Sequence, residues 1–351
     1  MTTMANFPVD LYSDTITRPT PAMRRAMAEA DVGDEQKGED PTVNLLQEMV
    51  ADLTGHEAAV FLPSGTMCNL IAHAVHCRPG DEIIIEKDCH PVHFEGGGPA
   101  VHSRVSLRLL ESEGGVFTPE AVEAALRPDD PHFARSRLVC IENTHNMGGG
   151  TVWPPERIAA VAAVARKHGL LMHLDGARLM NAVVAGGGSA RQICGHFDSV
   201  WLDLTKGLGC PVGAVLAGGR EFIAQARRYK QLFGGAMRQA GIIAAAGVYA
   251  LRHHVERLAE DHAAAKRLAR GLAEIRGISL DHGEPQTNIV MFDIKGTGLS
   301  RSDFFDRLAE HGVRMSGRLT PTGVRAVTHL DVPADGVDRA LTAARAALIA
   351  R

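Results

Sequence analysis

The sequence has few of the features that mark secreted, membrane-spanning or disulfide-bonded proteins. Its six cysteines show no Cys-x-x-Cys pair and no regular spacing, so we expect buried reduced thiols rather than disulfides or zinc ligands. The longest apolar run, around residues 241–251, is much shorter than the roughly 18 residues that cross a bilayer. Residues 1–10 lack the charged start and apolar core of a secretion signal. These absences predict a cytoplasmic protein without a membrane segment.

Clustered positive charge is also missing. The formal net charge is -4 at pH 7, and no run of Lys and Arg is longer than a pair. Such a chain offers no basic surface to a phosphate backbone, so we do not expect nucleic acid as a partner. The pattern Gly-x-Gly-x-x-Gly is absent as well, which disfavours a nicotinamide-binding Rossmann unit.

What is present indicates an α/β fold. Hydrophobic residues make up 45% of the chain, and 37 of its 351 residues are glycine. This composition suits a protein with many tight turns between strands and helices. Strand-like runs alternate with helical patterns such as 155–167, and the runs are 81–86, 137–142, 170–175, 198–204 and 212–217. The order predicts βαβ units around a mostly parallel sheet, with ligands bound beyond the carboxyl ends of the strands.

The C-terminal third has a different pattern. Residues 239–275 contain no Pro and predict one long helix leaving the large domain, with His253, His254 and His262 on its solvated face. Strand-like runs and two further helices follow it. We therefore predict a large α/β domain at 1–240, including the N-terminal segment, and a small α+β domain at 241–351.

The strongest local signal is a lone lysine in a glycine-rich turn. Lys206 follows an apolar strand within the segment Thr205-Lys-Gly-Leu-Gly-Cys-Pro-Val-Gly213. A lysine that forms a Schiff base needs such a protected and accessible position. The motif by itself favours a surface lysine in a loop, so the interpretation as a Schiff-base lysine depends on the neighbouring motifs.

A carboxylate and a guanidinium end another predicted strand. In the segment 173–178, Asp175 could bind the pyridine nitrogen of pyridoxal phosphate (PLP) and keep it protonated, while Arg178 could bind a substrate carboxylate. A helix cap with a nearby ion pair would account for either residue singly. The two residues together with Lys206 favour a PLP enzyme.

The segment Pro63-Ser-Gly-Thr-Met-Cys-Asn69 runs from a strand into an apolar helix. The backbone N–H groups at that helix start, around Ser64 and Gly65, could bind a phosphate together with the hydroxyl of Thr66. An ordinary helix cap has the same residues, so this motif is weak in isolation.

Two histidines stand just past strand-like runs, His90 and His145. A buried, hydrogen-bonded histidine is the commoner explanation for any one His in a chain that has 17 of them. The spacing of His90 and His93 could suggest a metal, but no matching third ligand is evident, so no metal is predicted.

Taken together, these motifs resemble the threonine aldolase family of fold-type I PLP enzymes. The resemblance runs nearly end to end and follows the family's order: 9–19, 38–44, 63–69, 90–97, 142–145, 173–178, 205–213, 237–241 and 327–331. It implies a fold-type I PLP-dependent transferase-like architecture, and cleavage of a β-hydroxy-α-amino acid to glycine and an aldehyde.

The resemblance also implies a role for each matching residue. Lys206 matches the lysine that carries PLP, Asp175 the partner of the pyridine nitrogen, and His90 the imidazole stacked on the ring. Ser64, Gly65 and Thr66 match the phosphate site, with Arg238 as a further phosphate contact. Ser13, Arg178 and Arg325 match the residues that hold the substrate carboxylate, and His90 and His145 those that face the β-hydroxyl. A dimer or a dimer of dimers is implied too, with each active site shared between chains.

The sequence departs from the family at a few positions. Gln36 and Lys37 stand where members usually have an aromatic residue, His93 replaces an apolar or aromatic residue, and Asp203 replaces a small or apolar one. If Lys37 lined the pocket, its ammonium could accept polar or anionic β-substituents; otherwise it points to solvent.

Two other functions are compatible with the same scaffold. A β-eliminating lyase would break the Cα–H bond and release a keto acid and ammonia. A catalytically silent PLP-fold binding protein is disfavoured, because Lys206, Asp175 and the arginines are retained and no DNA-binding segment is appended.

Overall fold

The computed structural model describes residues 7–349. The strands in chain order are β1 (Val9–Asp10), β2 (Ala58–Leu62), β3 (Glu82–Glu86), β4 (Ser106–Leu110), β5 (Ser136–Glu142), β6 (Leu171–Gly176), β7 (Ser199–Asp203), β8 (Ala214–Gly218), β9 (Ser279–Leu280), β10 (Ile289–Asp293), β11 (Val313–Arg314), β12 (Ser316–Gly317) and β13 (Gly323–Val327). The α-helices are α1 (Pro21–Ala28), α2 (Pro41–Thr54), α3 (Gly65–His76), α4 (His90–His93), α5 (Pro119–Ala125), α6 (Pro155–Lys167), α7 (Leu179–Val184), α8 (Ala190–Cys194), α9 (Arg220–Leu232), α10 (Gly241–His253), α11 (Leu258–Ala273), α12 (Arg301–Glu310) and α13 (Gly336–Ala347).

A seven-stranded sheet in the order β2-β8-β7-β6-β5-β3-β4 forms the centre of the molecule. Neighbouring strands from β7 across to β4 are parallel, whereas β8 is antiparallel to both β2 and β7. The predicted α/β class and mostly parallel sheet are therefore confirmed. The carboxyl ends of β5, β6 and β7 meet at one edge of this sheet, where Glu142 lies beside Asp175 in register.

The buried side chains form two principal cores. The first includes the central sheet with α2, α6 and α10 and reaches from Met23 to Leu258. The second surrounds the smaller sheet β12-β13-β10-β9 and includes Val9 and Leu11 from the N-terminal segment, because β1 pairs with β11. The division at residue 240 remains a prediction. Helix α10, just after it, packs in the first core.

The prediction of one long helix over 239–275 is wrong. The helix is interrupted after His253 and resumes at Leu258. His254, in the break, turns inward and its Nδ1 lies 2.8 Å from the carbonyl oxygen of Leu208. Leu258 packs so closely on Gly207 that a β-carbon at Gly207 would lie 2.7 Å from it. Contacts to the turn that contains Lys206, residues 205–213, thus interrupt the helix. The sequence has no Pro or turn motif from which this interruption could be predicted.

Two histidines predicted for the solvated face of this segment are buried. His254 is held by the Leu208 carbonyl, and His262 Nε2 accepts a hydrogen bond of 3.1 Å from Asn181. Only His253 of the three is exposed. All six cysteines are buried and free, as predicted. Among residues 7–349, no helix has the length and apolar character needed to cross a membrane.

Candidate active site

A cavity of about 540 Å³ opens at the carboxyl edge of the central sheet. Its lining includes five of the residues predicted for the site, namely Ser13, His90, Arg178, Lys206 and Arg325. The wall also contains Tyr12, Thr15, Phe94, Glu142, Asn146, Met147 and Arg318. Distant parts of the chain therefore meet at this cavity, as the sheet topology requires. They are the strands β6 and β7, the N-terminal segment and β13.

Lys206 projects into this cavity from the turn after β7. Its Nζ lies 2.6 Å from Asp203 Oδ2, and its side chain is 15% exposed. The ammonium also lies 5.7 Å from the ring centre of Trp201, a separation that favours a cation–π contact. Asp203, noted above as a departure from the family, is thus the ion-pair partner of the lysine.

Asp175 lies behind the cavity wall and is 4% exposed. Its Oδ1 accepts a hydrogen bond of 3.0 Å from the amide of Ala177, and its Oδ2 accepts one of 2.9 Å from the side-chain amide of Asn69. Burial, followed by the nearby charge of Glu142, raises the pKa of Asp175 to about 7 despite the opposing effect of Asn69. The carboxylate forms no ion pair within residues 7–349. A protonated pyridine nitrogen would supply the missing cation, so this residue fits PLP.

The helix start predicted to bind phosphate is formed as expected. The Ser64 hydroxyl caps α3 by accepting a hydrogen bond from the Met67 amide, and Ser64 and Thr66 line a groove outside the main cavity. Gly65 sits against Trp201, where a β-carbon would lie 2.2 Å from the indole ring. Only glycine allows this close approach of the helix start to β7. The twelve-residue helix thus presents its N–H groups where a phosphate could bind.

Arg238 does not lie beside the helix start that was predicted to bind phosphate. Its guanidinium pairs with Asp34 at 2.9 Å and is 63% exposed, and it lines neither the main cavity nor the groove at Ser64. The predicted phosphate contact of Arg238 therefore remains a prediction.

The two predicted carboxylate-binding arginines differ in their partners. Arg178 donates two hydrogen bonds of 2.7 Å to the fully buried carboxylate of Asp14. Arg325 has no carboxylate partner in the described part of the chain, and it donates instead to the oxygens of Tyr12 (3.4 Å) and Asn146 (2.9 Å). Burial and the charge of Arg178 lower the pKa of Arg325 to about 10, and its Nε has no partner. Arg325 is therefore the guanidinium with an unbalanced charge.

His90 is the predicted histidine that faces the cavity. Its Nδ1 lies 2.9 Å from Glu95 Oε1, its backbone amide donates to Glu142 Oε2 at 2.8 Å, and its side chain is 39% exposed. Burial lowers the pKa of His90, but the hydrogen bond to Glu95 and the charges of Asp175 and Glu142 outweigh burial, so the pKa lies above its ordinary value.

His145 is 1% exposed and does not line the cavity. Its Nδ1 accepts a hydrogen bond of 3.0 Å from the Gly148 amide, and its Nε2 lies 3.1 Å from Glu86 Oε2 and 3.6 Å from Cys89 Sγ. Both ring nitrogens are thus engaged inside the protein. A direct role of His145 at the substrate hydroxyl remains a prediction that this geometry does not support.

Two of the remaining departures lie away from the cavity within one chain. Lys37 is exposed, as expected if it points to solvent. His93 lies with its Nε2 2.9 Å from the Lys87 carbonyl oxygen, and it does not line the cavity. Neither side chain contacts the predicted substrate site in this structure.

Four residues that hold the predicted ones in place were not predicted from the sequence. These are Asp14 against Arg178, Asn69 against Asp175, Glu95 against His90, and Asn146 against Arg325. All four lie within or next to the motifs singled out in the sequence, so those motifs could have drawn attention to them. Three of the four pair with residues distant in sequence, and such pairings cannot be predicted from spacing. Only Glu95 has its partner nearby in the chain.

The fold can be compared with solved structures. A threonine aldolase structure from Leishmania major superposes with a TM-score of 0.83, covering 97% of this chain and 100% of that one at 21% identity. The likeness shows that this chain and that threonine aldolase structure share one fold.

Sequence comparison gives the family. The β-eliminating lyase family matches residues 10–296. A low specificity L-threonine aldolase of Escherichia coli K12 is 42% identical over 330 residues, which are 92% of this chain and 94% of that protein. Low-specificity L-threonine aldolase 1 of Arabidopsis thaliana is 39% identical over 348 residues, 97% of this chain and 96% of that protein. The chain belongs to the β-eliminating lyase family and, within it, to the threonine aldolases.

Proposed function

We propose that this protein is a PLP-dependent aldolase that cleaves L-threonine, L-allo-threonine or related β-hydroxy-α-amino acids to glycine and an aldehyde. The observation that carries the proposal is the meeting of Lys206, His90 and the unbalanced Arg325 in one cavity, with Asp175 behind its wall. The relatives that share this chain's length are named as L-threonine aldolases, which supports the same reaction here.

The residues available to hold PLP are those described above. Lys206 would bind it covalently, Asp175 would pair with its pyridine nitrogen, and His90 would cover the ring, while Ser64, Gly65 and Thr66 would bind the phosphate. When bound, PLP supplies an electron sink for the bond that breaks at Cα. Asp175 contributes by favouring the protonated pyridine, since a buried carboxylate without a cation is costly.

The substrate carboxylate would be bound by Arg325, with Ser13 and Asn146 beside it. Arg178 supports this site through Asn146, to whose Oδ1 it donates at 3.4 Å. Fixing the carboxylate determines which bond at Cα stands perpendicular to the cofactor ring and hence which one breaks. The arginine thus contributes to the choice between cleavage of Cα–Cβ and loss of the Cα proton.

Cleavage of the Cα–Cβ bond requires a base at the β-hydroxyl. His90 faces the cavity and can take this proton, directly or through a water, as the aldehyde forms. His145 could act only through a change in its present hydrogen bonds.

Product analysis tests the proposal and separates it from the alternative. The purified protein, supplied with PLP, is incubated with threonine, allo-threonine and phenylserine, and glycine, aldehyde, keto acid and ammonia are all measured. Glycine and aldehyde in equal amounts would support the aldolase. A keto acid with ammonia would identify the β-eliminating lyase, the activity for which the matched family is named.

We also propose that the active site is completed by a second copy of the chain. The groove at Ser64 and Thr66 is bordered by strongly exposed apolar side chains, Val101 at 66% and Leu232 at 73%. Exposed apolar groups next to a binding site favour a subunit interface, and a dimer or dimer of dimers would cover them. Light scattering of the purified protein measures the oligomeric state.

The free thiols suit a reducing compartment, which supports a cytoplasmic location.

A further inference from the structure

Glu95 is a buried carboxylate with an unusual environment. Its side chain is 0% exposed, and only its Oε1 accepts hydrogen bonds, from His90 Nδ1 at 2.9 Å and from Asn69 Nδ2 at 2.7 Å. The second oxygen, Oε2, is buried without a partner among the described residues. Leaving one oxygen of a buried carboxylate without a partner costs stability, which points to a functional role for Glu95.

The pairing of Glu95 with His90 fixes where the imidazole carries its proton. A carboxylate oxygen only accepts hydrogen bonds, so Nδ1 of His90 must be the donor. In the neutral imidazole, the other nitrogen then has a free lone pair. Nε2 of His90 forms no hydrogen bond within residues 7–349, and the ring faces the cavity. It can therefore accept a proton.

Asn69 holds Glu95 in the orientation that this requires. Its side-chain amide donates to both Glu95 Oε1 and Asp175 Oδ2, at 2.7 Å and 2.9 Å. Its own oxygen accepts hydrogen bonds from Trp201 (2.8 Å) and His173 (3.2 Å), which prevents the amide from turning over. The carboxylate beside His90 is thus connected rigidly to the carboxylate that would hold PLP.

His145 provides an internal contrast. It also has a buried carboxylate beside it, Glu86, but its Nδ1 accepts from Gly148 and its Nε2 points at the carboxylate. No nitrogen of His145 is left for a substrate. Between the two histidines predicted to face the β-hydroxyl, the hydrogen bonds favour His90.

We propose that Glu95 is a positioning residue that keeps the His90 proton on Nδ1 and leaves Nε2 to accept the proton of the substrate's β-hydroxyl. The inference rests on the proposed aldolase function for the identity of the hydroxyl. The electron pair of the broken O–H bond becomes the second bond of the aldehyde carbonyl, and the proton moves to Nε2. The electron pair of the Cα–Cβ bond stays with Cα, where PLP, when bound, would supply the electron sink. Groups that face His90 and affect its charge are Glu95, Asp175 and Glu142.

Glu95→Gln separates the charge of Glu95 from its hydrogen bond. Two donors, from His90 and Asn69, point at the Oε1 position, so the glutamine carbonyl must occupy it and the amide takes the place of the unpartnered Oε2. The proton stays on Nδ1 while the negative charge is lost. His90 should then titrate at lower pH, by about one unit.

The titration can be followed without substrate by diethyl pyrocarbonate, which acylates neutral imidazole. The full-length protein, with PLP and without it, is treated from about pH 5 to about pH 9. Modification at His90 is measured by mass spectrometry with fragmentation, since His93 and His102 lie in the same tryptic peptide. The midpoint should fall in Glu95→Gln and stay unchanged in Glu86→Gln, a matched variant at the carboxylate beside His145. Equal midpoints in wild type and Glu95→Gln would overturn the proposal.

Kinetics supply the second arm. Glu95→Leu removes the acceptor and should lower kcat for threonine by about 100-fold with KM changed less than about threefold, whereas Glu95→Gln should keep most of kcat at high pH and move the acid limb of the profile downward. If Glu95→Gln lost as much kcat as Glu95→Leu at every pH, Glu95 would have a merely structural role. If no amino acid is cleaved by the wild type, the proposed function fails, and the substrate-free titration still decides the role of Glu95.

Discussion

Arg178 and Asp14 form a buried pair with two hydrogen bonds of 2.7 Å, although they lie 164 residues apart in the chain. The charge of Arg178 is therefore balanced before any substrate binds. Arg325, which shares the oxygen of Asn146 with Arg178, has no such partner. The two arginines predicted to bind the same carboxylate should consequently respond differently to substitution.

Replacing Arg325 by Gln should raise KM for threonine and lower kcat/KM at least 100-fold, because the uncompensated charge provides most of the attraction for the substrate carboxylate. Arg178→Gln leaves Asp14 buried without its cation, so it should lower the free energy of unfolding by about 3 kcal/mol or more. Steady-state kinetics and thermal unfolding, measured on both variants, check this division. The same loss of stability in both variants, with no difference in KM, would contradict it.

Asp175 should make the stability of the cofactor-free protein depend on pH. Because burial raises its pKa to about 7, the folded chain keeps a proton between about pH 4 and about pH 7 that the unfolded chain has lost. The free energy of unfolding therefore falls as pH rises through this window. Above it, the ionised carboxylate lowers that free energy by up to about 4 kcal/mol.

Asp175→Asn should remove this cost. Without PLP, the variant is expected to unfold at higher temperature than wild type near pH 8 and at the same temperature near pH 4. With PLP the order near pH 8 should reverse, and turnover should fall more than tenfold, because the cofactor gains a counter-charge only in wild type. Identical responses to pH in both proteins would remove Asp175 from the pyridine site.

Borohydride should fix PLP covalently to Lys206, because reduction of an imine gives a stable amine. Peptide mapping after reduction locates the label. Lys230 serves as an internal control, since it is also buried but pairs with Glu35 at 2.7 Å. A label on Lys230, or on the exposed Lys37, would refute the assignment of Lys206.

Lys37→Tyr should leave the ratios of kcat/KM among threonine, phenylserine and 3-hydroxyaspartate unchanged, because the side chain is exposed and does not line the cavity. Phe94→Ala is the matched contrast, since Phe94 lines the cavity and should affect phenylserine more than threonine. Altered ratios in Lys37→Tyr would indicate that Lys37 reaches the active site of a partner subunit.

The parts of this site that follow from the sequence are those set by local pattern. Apolar runs alternating with helices predicted the sheet, and the sheet topology predicted that residues after β5, β6 and β7 would meet. The partners of those residues could not be predicted, because Asn69 and Asp175 or Asp14 and Arg178 come together only through packing of separate elements. The break before Leu258 is similar, since it arises from contacts to Gly207 and Leu208 and not from a helix-breaking residue.

The close approach of Trp201 to Gly65 and Lys206 also gives the protein an optical reporter. The chain has two tryptophans, and the other, Trp153, is fully buried in the first core against Phe117. Of the two tryptophans, Trp201 is the one that packs on the helix start at Gly65 and lies beside Lys206, so its emission should be quenched by energy transfer when PLP is bound. Fluorescence of the unmodified protein would then follow loading of the cofactor in real time.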